Sequence, residues 1–343
     1  MEALYVLEPG SFIRKDGEAL KIVKGGSTVA DIPARGLKRL TLVGYVSLSG
    51  AVLDFLIQHR IETVFMTPTG RFRARLMLDE HPHVARRQAQ YARLGEKTFA
   101  LEAARRIVAA KLENQVRHLR RRARDHGIGE LEKIALRIHG LQRALRATQD
   151  LEVVRGIEGY GTRLYFEAFP FLLRNDLFSF PGRRRRPPTD PVNAMLSFVY
   201  TLLTNEVLGA IKAAGLDPYL GSLHEVAPGR PSLACDLVEE WRVLGDRLVL
   251  SLINRRYVTP EDFVVRTRSL PEDEPDRVRS VEMKPAALRA LIGSYERQMQ
   301  ARIKTEVTGD ERQFRWLVHE QVRRFARSLE EQEAVYEPFC IGH

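Results

Sequence analysis

Cysteine, long apolar runs and an acidic surplus are what this sequence lacks, and each absence removes a class of protein. Two cysteines in 343 residues, Cys235 and Cys340, cannot build a disulfide scaffold or a Cys-X-X-Cys zinc site, which favours a reducing, cytoplasmic environment. The longest apolar run, residues 194–203, is about half the length that a membrane-spanning helix needs, so we predict a core helix and no membrane. The opening MEALYVLEPG has no basic segment followed by an apolar one, and we expect no secretory signal.

The charge balance of the chain is basic. Lys and Arg number 54 against 44 Asp and Glu, which gives a formal net charge of +10. A surplus of this size favours a polyanionic partner and excludes a disordered acidic tail protein. Hydrophobic residues make up 44% of the chain, a normal share for a globular protein with a sizeable core. Because no membrane-spanning segment is predicted, we expect the polyanion to be nucleic acid.

Strand signals dominate the first part of the chain. Short apolar runs alternate there with turns, and Asp16-Gly17 between two such runs is a strong hairpin signal. One short helix is predicted over residues 49–59, where apolar residues recur at helical spacing. From Val84 onward the helical period takes over. We therefore predict an α+β protein, with a β-rich domain over residues 1–83 and a larger all-α domain over residues 84–343.

The helical part divides at turn signals. The first helix is predicted to be one long element over residues 86–126 that ends at Gly127. The charged, Pro-containing segment 267–280 is typical of an exposed loop. Further helices are predicted over residues 130–147, 150–173, 191–214, 233–255, 285–303 and 313–332.

Two carboxylates and a histidine lie close together in the window GSLHEVAPGRPSLACDLVEEWR. His224 lies in a Gly- and Pro-rich loop, and the helix that follows carries Asp236 and Glu239, which are three residues apart and share one face. Like charges so close repel each other unless a cation lies between them, and a divalent metal ion would remove that cost. An ordinary structural role is equally compatible with the spacing: Asp236 could cap the helix or pair with Arg230 or Arg242, and Glu239 could face solvent.

The window GIEGYGTRLYFEAF holds a third acid. Glu158 lies among small and apolar residues, and Gly159 and Gly161 flank a tyrosine in a predicted helix. Glycine in a helix interior costs on the order of 1 kcal/mol relative to alanine, so the pair predicts a close approach of backbone or ligand on this side. The alternative is a helix start, with Glu158 interacting with the positive end of the helix dipole.

Glu158, His224 and Glu239 together offer two carboxylates and one imidazole. Such a set suits six-coordinate Mn²⁺ or Mg²⁺, and the imidazole favours Mn²⁺, although zinc is not excluded. A metal site is thus predicted as one option. The basic run at residues 183–186 precedes two prolines in a predicted loop, where arginines can meet backbone phosphates.

Three windows, read in order, resemble a known family: IEGYGTRLYFEAF, RRRRPPTDPVNAMLSFVYTLL and LGSLHEVAPGRPSLACDLVEEWR. They are similar to the CRISPR-associated integrase-nuclease that captures new spacers in antiviral defence. The resemblance implies an N-terminal β-domain that mediates dimerisation and a helical domain that holds the metal. It implies that Glu158, His224 and Glu239 are the metal ligands and that Asp236 is a supporting acid of the catalytic set. Many family members carry Asp where this chain has Glu239, which leaves open which acid of the pair touches the metal.

The same resemblance implies a reaction and partners. The expected reaction is hydrolysis of DNA by water, or attack of a DNA 3′-hydroxyl on a phosphodiester of a CRISPR repeat, with Mn²⁺ or Mg²⁺ as cofactor. The expected partners are double-stranded and branched DNA, a second copy of the chain in a homodimer, and a small ferredoxin-like companion subunit. A structure-selective DNA-repair nuclease and a non-enzymatic nucleic-acid-binding scaffold remain as alternatives. Phosphate contacts are assigned to Arg163, Arg183, Arg184, Arg185, Arg186 and Arg242.

Overall fold

A computed structural model describes residues 2–76, 83–184, 187–268, 278–304, 311–331 and 333–341. The chain forms two compact units, and neither is continuous in sequence. One unit comprises Met1–Glu80, Pro187–Thr201 and Glu261–Arg289. The other comprises His81–Arg186, Leu202–Pro260 and Ala290–His343.

The first unit begins with two four-stranded sheets. One sheet has the order β1-β5-β7-β8, in which β1, β5 and β7 are parallel and β8 is antiparallel to β7. The other has the order β4-β3-β2-β6. The strands are β1 (Ala3–Val6), β2 (Phe12–Asp16), β3 (Ala19–Lys24), β4 (Ser27–Pro33), β5 (Arg39–Val43), β6 (Ser47–Leu48), β7 (Glu62–Met66) and β8 (Phe72–Leu76).

Both local predictions in this unit are confirmed. Strands β2 and β3 pair antiparallel, with Asp16 opposite Ala19, so the hairpin turns at Gly17 as the sequence predicts. The predicted short helix is α1 (Gly50–Gln58), and the Ser49 hydroxyl accepts a hydrogen bond from the Val52 amide at its start. The core between these elements is made by alternate strand residues and one helix face, including Leu20, Leu40, Leu42, Val52 and Leu56.

Helices follow, and the predicted fold class is confirmed. The N-terminal β-sheets give way to a largely helical remainder. A single 3₁₀ turn, Glu239–Trp241, connects the eighth and ninth helices. The helices are α2 (Val84–Gly95), α3 (Lys97–His126), α4 (Gly129–Ala147), α5 (Leu151–Glu167), α6 (Phe169–Leu172), α7 (Pro191–Ala213), α8 (Ser232–Val238), α9 (Arg242–Asn254), α10 (Pro285–Gln300) and α11 (Phe314–Glu330).

The prediction of one helix over residues 86–126 is wrong. Helix α2 ends at Gly95, and Glu96 has an extended backbone with ψ of 112°, so α3 starts afresh at Lys97. The predicted end is confirmed, because Gly127 has φ of 66°, the left-handed conformation that commonly closes a helix. Helix α3 packs against α4, α5, α9 and the 3₁₀ turn, and it forms the centre of the second unit.

Two short antiparallel pairs interrupt the helical region. Strand β9 (Phe263–Arg268) pairs with β10 (Val278–Met283), and β11 (Arg302–Lys304) pairs with β12 (Glu311–Gln313). The loop predicted over residues 267–280 is therefore wrong at its two ends, because Thr267 and Arg268 belong to β9 and residues 278–280 belong to β10. Residues 269–277, the middle of that segment, lie outside the described residues.

The long apolar helix α7 is a core element. It is the one helix among the described residues that is long and apolar enough to cross a membrane, but 78% of its most apolar window is buried inside the protein. Its residues Met195, Leu196, Phe198 and Val199 are fully covered. This burial agrees with the prediction of a core helix at residues 194–203.

Candidate metal centre

A lysine lies in the apolar stripe of α3. The stripe includes Ile107, Val108 and Leu112, and Lys111 occupies it with only 2% of its side chain exposed. A buried ammonium group is costly unless it is paired with charge. Lys111 is paired twice: its Nζ contacts Glu158 Oε1 and lies 2.6 Å from Glu239 Oε2. One cation therefore joins two acids that are distant in the sequence.

Glu158 lies in the middle of α5, which begins at Leu151. The alternative reading of this acid as a helix-start residue is therefore wrong. Its Oε1 also accepts a hydrogen bond of 3.0 Å from the Thr162 hydroxyl, one turn later on the same helix. The flanking glycine Gly161 explains why α5 lies so close to α3, since a Cβ there would be 2.3 Å from Leu112 Cδ2. The predicted close approach is an approach of packed side chains from α3.

Glu239 is the second acid, and it does not face solvent. It begins the 3₁₀ turn with 3% exposure, so the surface alternative is wrong for this residue. Burial alone would raise the pKa of the Glu239 carboxyl, but Arg242, Lys111 and His224 lower it to about 2. Arg242 Nε lies 2.8 Å from Glu239 Oε1. Glu239 is thus held as a carboxylate among three cationic or potentially cationic groups.

Asp236 is fully buried and positions the His224 loop. Its Oδ2 accepts the amides of Ser222 and Leu223, at 2.5 and 2.9 Å. Its Oδ1 accepts the amide of His224 at 2.9 Å and lies 2.8 Å from that residue's Nδ1. Asp236 therefore does not pair with Arg230 or Arg242. Because the carboxylate accepts the Nδ1 proton, the ring presents Nε2 as the atom that could bind a metal.

The loop fits closely around Asp236 because residue 221 is glycine. A Cβ at Gly221 would lie 2.4 Å from Asp236 Oδ2 and 2.8 Å from the backbone carbon of Ser232. The loop is also tied to the helix that carries Glu158, since Arg155 Nε donates to the Leu223 carbonyl at 2.6 Å. His224 is therefore fixed with respect to α5 and α8 by the side chains of Arg155 and Asp236, which bind the backbone of its loop.

A second buried network supports the 3₁₀ turn from behind. Glu240 is fully buried, and its carboxyl accepts the Phe339 amide at 2.7 Å and contacts the Tyr336 hydroxyl. Asn114 of α3 donates to the Glu240 and Phe339 carbonyls, both at 3.0 Å, and accepts the Ile341 amide at 2.7 Å. Burial raises the pKa of Glu240 to about 8. Hydrogen bonds from Asn114 and Glu240 thus hold residues 336–341 against α3 and the 3₁₀ turn.

Two of the predicted phosphate-binding arginines share a cleft. Arg163 and Arg183 line a space of about 490 Å³ beside α5, with Phe166 and Phe180 among its walls. The side chain of Arg163 is 68% exposed, and its guanidinium lies 4.9 Å from the Tyr160 ring centre. Arg183 lies over Phe166 at 6.0 Å. This cleft adjoins the site, because Thr162 lines it and also bonds to Glu158.

The remaining predicted arginines lie elsewhere. Arg184 is exposed beside Arg183, and its carbonyl accepts a 2.9 Å hydrogen bond from Arg183 Nη1. Arg242 contacts Glu239 inside the site. Arg185 and Arg186 lie outside the described residues.

The donor set fits a cation. Lys111 Nζ, a positive group, already lies between one oxygen of Glu158 and one of Glu239, and His224 lies near enough to lower the pKa of Glu239. Within the described ranges, no three His, Cys, Asp or Glu side chains form a ready-made metal-binding group. The carboxylates thus meet around an ammonium group, and a metal ion would have to take its place.

Comparison with known proteins identifies the family. The sequence model described as CRISPR associated protein Cas1 matches residues 4–297. The chain belongs to the Cas1 family. It is 36% identical over 346 residues to the CRISPR-associated endonuclease Cas1 1 of Chlorobaculum tepidum, covering 99% of this chain and 98% of that relative. The resemblance stated from the sequence is confirmed, and membership in a family whose curated relatives are named endonucleases makes this an enzyme of the nuclease class.

Solved structures share the Cas1 fold of this chain. A chain of a Cas6-RT-Cas1–Cas2 complex aligns with a TM-score of 0.83 at 22% identity, covering 98% of this chain and 36% of that one. A casposase bound to integration product aligns with a TM-score of 0.80 at 23% identity, covering 98% and 93%. At this level of identity the likeness establishes the fold alone.

Sequence reasoning missed Lys111, Thr162 and Glu240. The signal for Lys111 was available, because α3 reads as an apolar stripe that a lysine interrupts, and a buried lysine needs a carboxylate partner. Its partners could not be named, since they lie 47 and 128 positions away. Thr162 and Glu240 carry no pattern that separates them from ordinary surface residues.

Proposed function

We propose that this Cas1 chain is a metal-dependent DNA endonuclease and integrase. It inserts new spacers into a CRISPR array by attack of a DNA 3′-hydroxyl on a repeat phosphodiester. The observation that carries the proposal is the convergence of Glu158 and Glu239 on one cation, with His224 held by Asp236, which is three residues before Glu239. A basic chain, with a formal net charge of +10, supports DNA as the substrate.

Glu158, Glu239 and His224 Nε2 are proposed to hold Mn²⁺ or Mg²⁺. The bound ion would polarise a phosphate oxygen and lower the pKa of the attacking water or hydroxyl. Asp236 would act as a positioning residue, because its carboxylate orients the His224 ring. Glu239 has a longer side chain than Asp236, and it shares the Lys111 ammonium group with Glu158. Asp236 is occupied by three amides and the imidazole, which favours Glu239 as the direct ligand.

DNA would be held by the cleft beside α5. Arg163 and Arg183 line it and could pair with successive phosphates, while Phe166 and Phe180 could stack on a base. Arg184, Arg185 and Arg186 extend the same basic segment. Arg242 is better suited to holding Glu239 than to contacting DNA, since it is only 18% exposed.

We further propose the setting in which this site works. The β-rich region, residues 1–83, would dimerise, and residues 84–343 would carry the catalysis. A small ferredoxin-like companion would bridge two such dimers in the cytoplasm. The name of one structural neighbour, a Cas1–Cas2 complex, supports a companion subunit of this kind.

A matched pair of substitutions on α5 tests the catalytic part of the proposal. Glu158→Gln should bind DNA as the wild type does but lose Mn²⁺-dependent nicking and strand transfer by at least about 100-fold. Glu152→Gln on the same helix, an acid that is 70% exposed, should leave both unchanged. Cleavage that persists unchanged in Glu158→Gln would mean that the assigned site is wrong, whereas DNA binding without any cleavage by the wild type would favour the scaffold alternative.

A plasmid assay separates spacer integration from DNA repair. We expect insertion of a short duplex into a repeat-containing plasmid, and we expect the small companion subunit to stimulate it. A repair nuclease would instead cut branched DNA with no preference for the repeat. Equal insertion into plasmids with and without the repeat would refute insertion at CRISPR repeats, and no insertion into either plasmid would refute the integrase assignment while leaving the nuclease assignment intact.

A further inference from the structure

The buried ammonium of Lys111 occupies the space between the two acids. It contacts Glu158 Oε1 and lies 2.6 Å from Glu239 Oε2. Each acid has one additional polar partner: Thr162 donates to Glu158, and Arg242 pairs with the other oxygen of Glu239. Without Lys111, the buried carboxylate of Glu239 and the carboxylate of Glu158, whose side chain is 22% exposed, would face each other with no positive charge between them, which is unfavourable.

A divalent ion and an ammonium group cannot share these two oxygens. Coordination of Mn²⁺ or Mg²⁺ requires carboxylate oxygens at about 2.0–2.2 Å, well inside the 2.6 Å that separates Lys111 Nζ from Glu239. The two cations would then lie within a few ångströms of each other and would repel in a poorly solvated site. Four methylene groups give the lysine side chain room to change conformation, so displacement is the less costly outcome.

We propose that Lys111 is an internal counter-cation that holds Glu158 and Glu239 together in the metal-free protein and is displaced when the metal binds. This inference rests on the proposed metal site. It has two consequences. The carboxylates are kept in place before the metal arrives, and the metal binds more weakly than the bare pair of acids would allow, because it must displace the ammonium group.

Metal binding without DNA tests the competition directly. In titrations of the full chain with Mn²⁺, followed by the electron paramagnetic resonance of free Mn²⁺, Lys111→Met should tighten binding by about tenfold or more. Lys111→Arg keeps the charge and should bind no tighter than the wild type. Lys133→Met makes the same substitution at a lysine that is 74% exposed, and it should leave the affinity unchanged.

Glu239→Gln separates failure of this inference from failure of the proposed function. If Glu239→Gln weakens Mn²⁺ binding while Lys111→Met leaves it unchanged or weaker, the metal site stands and the counter-cation role is overturned. If Glu239→Gln binds Mn²⁺ as the wild type does, the metal site itself is wrong.

A structural measurement on the unmodified chain covers the case in which Lys111→Met does not fold. Crystals of the wild type grown with Mn²⁺ should show the metal on Glu158 and Glu239, with Lys111 Nζ no longer in contact with either acid. Metal bound to both acids while Lys111 still contacts them would overturn the proposal.

Discussion

The imidazole of His224 and the carboxylate of Asp236 lie 2.8 Å apart, and the same carboxylate accepts the backbone amide of His224. The ring and the backbone of His224 are therefore both held by the Asp236 carboxylate. Asp236 is fully buried, and further amides of the loop bind its second oxygen. The position of the histidine thus depends on a residue that has no free oxygen of its own to offer a ligand.

Asp236→Asn should damage both stability and activity. The asparagine side chain has one acceptor oxygen, and its NH2 group would face backbone N–H groups that now donate to the carboxylate. We therefore expect a loss of about 1–3 kcal/mol in the free energy of unfolding. Metal-dependent nicking should fall by about 10- to 100-fold as the ring loses its orientation. Urea unfolding and a plasmid nicking assay measure the two effects.

Asp150→Asn provides the control for that change. Asp150 caps α5 by accepting the Glu152 amide at 2.8 Å, and asparagine caps a helix about as well. We expect wild-type stability and nicking. If Asp236→Asn behaves like Asp150→Asn, the loop around His224 does not depend on the charge of Asp236.

Two glycines of α5 should respond oppositely to alanine. At Gly161 a Cβ would be 2.3 Å from Leu112 Cδ2, so Gly161→Ala should lower the free energy of unfolding by about 1–3 kcal/mol. At Gly159 nothing lies within 4 Å of the added Cβ, and Gly159→Ala should be neutral or stabilising by up to about 1 kcal/mol. Thermal unfolding of both variants checks the contrast.

Shortening Leu112, the α3 residue that Gly161→Ala would crowd, tests whether steric crowding causes the loss of stability. Leu112→Ala makes room for the new methyl group, so the double variant should recover part of the stability that Gly161→Ala loses. Strictly additive losses in the two single variants would show that the residues do not compete for space.

The cleft arginines should contribute to DNA affinity through phosphates. Arg163→Ala and Arg183→Ala should each weaken binding to every DNA sequence similarly and reduce the slope of log affinity against log salt by about 0.9. Arg323→Ala, an exposed arginine of α11 paired with Glu320, serves as the matched control. Salt slopes that stay at the wild-type value in both cleft variants would exclude phosphate contacts at this cleft.

The chain should lose stability in acid through His118. Burial, followed by the charges of Arg247, Arg122 and Arg121, lowers the pKa of this imidazole from 6.5 to about 3. The unfolded chain therefore takes up a proton near pH 6.5 that the folded chain refuses until about pH 3. The stabilisation from neutral His118 is complete above pH 6.5 and is lost progressively as the pH falls toward 3.

His118→Asn removes that titration. Its amide can still reach Tyr165, whose hydroxyl lies 2.9 Å from His118 Nδ1. Urea unfolding at about pH 7.5 and about pH 5 should show a smaller drop in stability for the variant than for the wild type. Equal drops would mean that other groups cause the acid sensitivity.

Local patterns predicted local structure well. Asp16-Gly17 marked a hairpin and Gly127 ended a helix, because glycine is favoured wherever the backbone needs a positive φ. The break at Glu96 was not predictable, since the residues on both sides continue a helical pattern and only packing decides where the chain turns. The end of strand β9 was missed because the prolines and charges that follow Thr267 and Arg268 gave these two residues the pattern of a loop.

The candidate site was predictable by residue type but not by contact. The windows around Glu158 and His224 singled out acids and an imidazole, and the structure brings Glu158 and Glu239 to one cation. No spacing rule could show that the cation is Lys111, because residues on different helices meet only through tertiary packing. The roles of these residues in metal binding and catalysis stay predictions.

Asn114 bonds to a segment that is synthesised much later. Its side chain accepts the amide of Ile341, 227 positions further along, and Glu240 likewise accepts the amide of Phe339. A nascent chain on the ribosome lacks both partners until Ile341 has been added. The hydrogen-bond network behind the turn that presents Glu239 is therefore complete only after residues 336–341 have been synthesised, and a shorter nascent chain lacks this support.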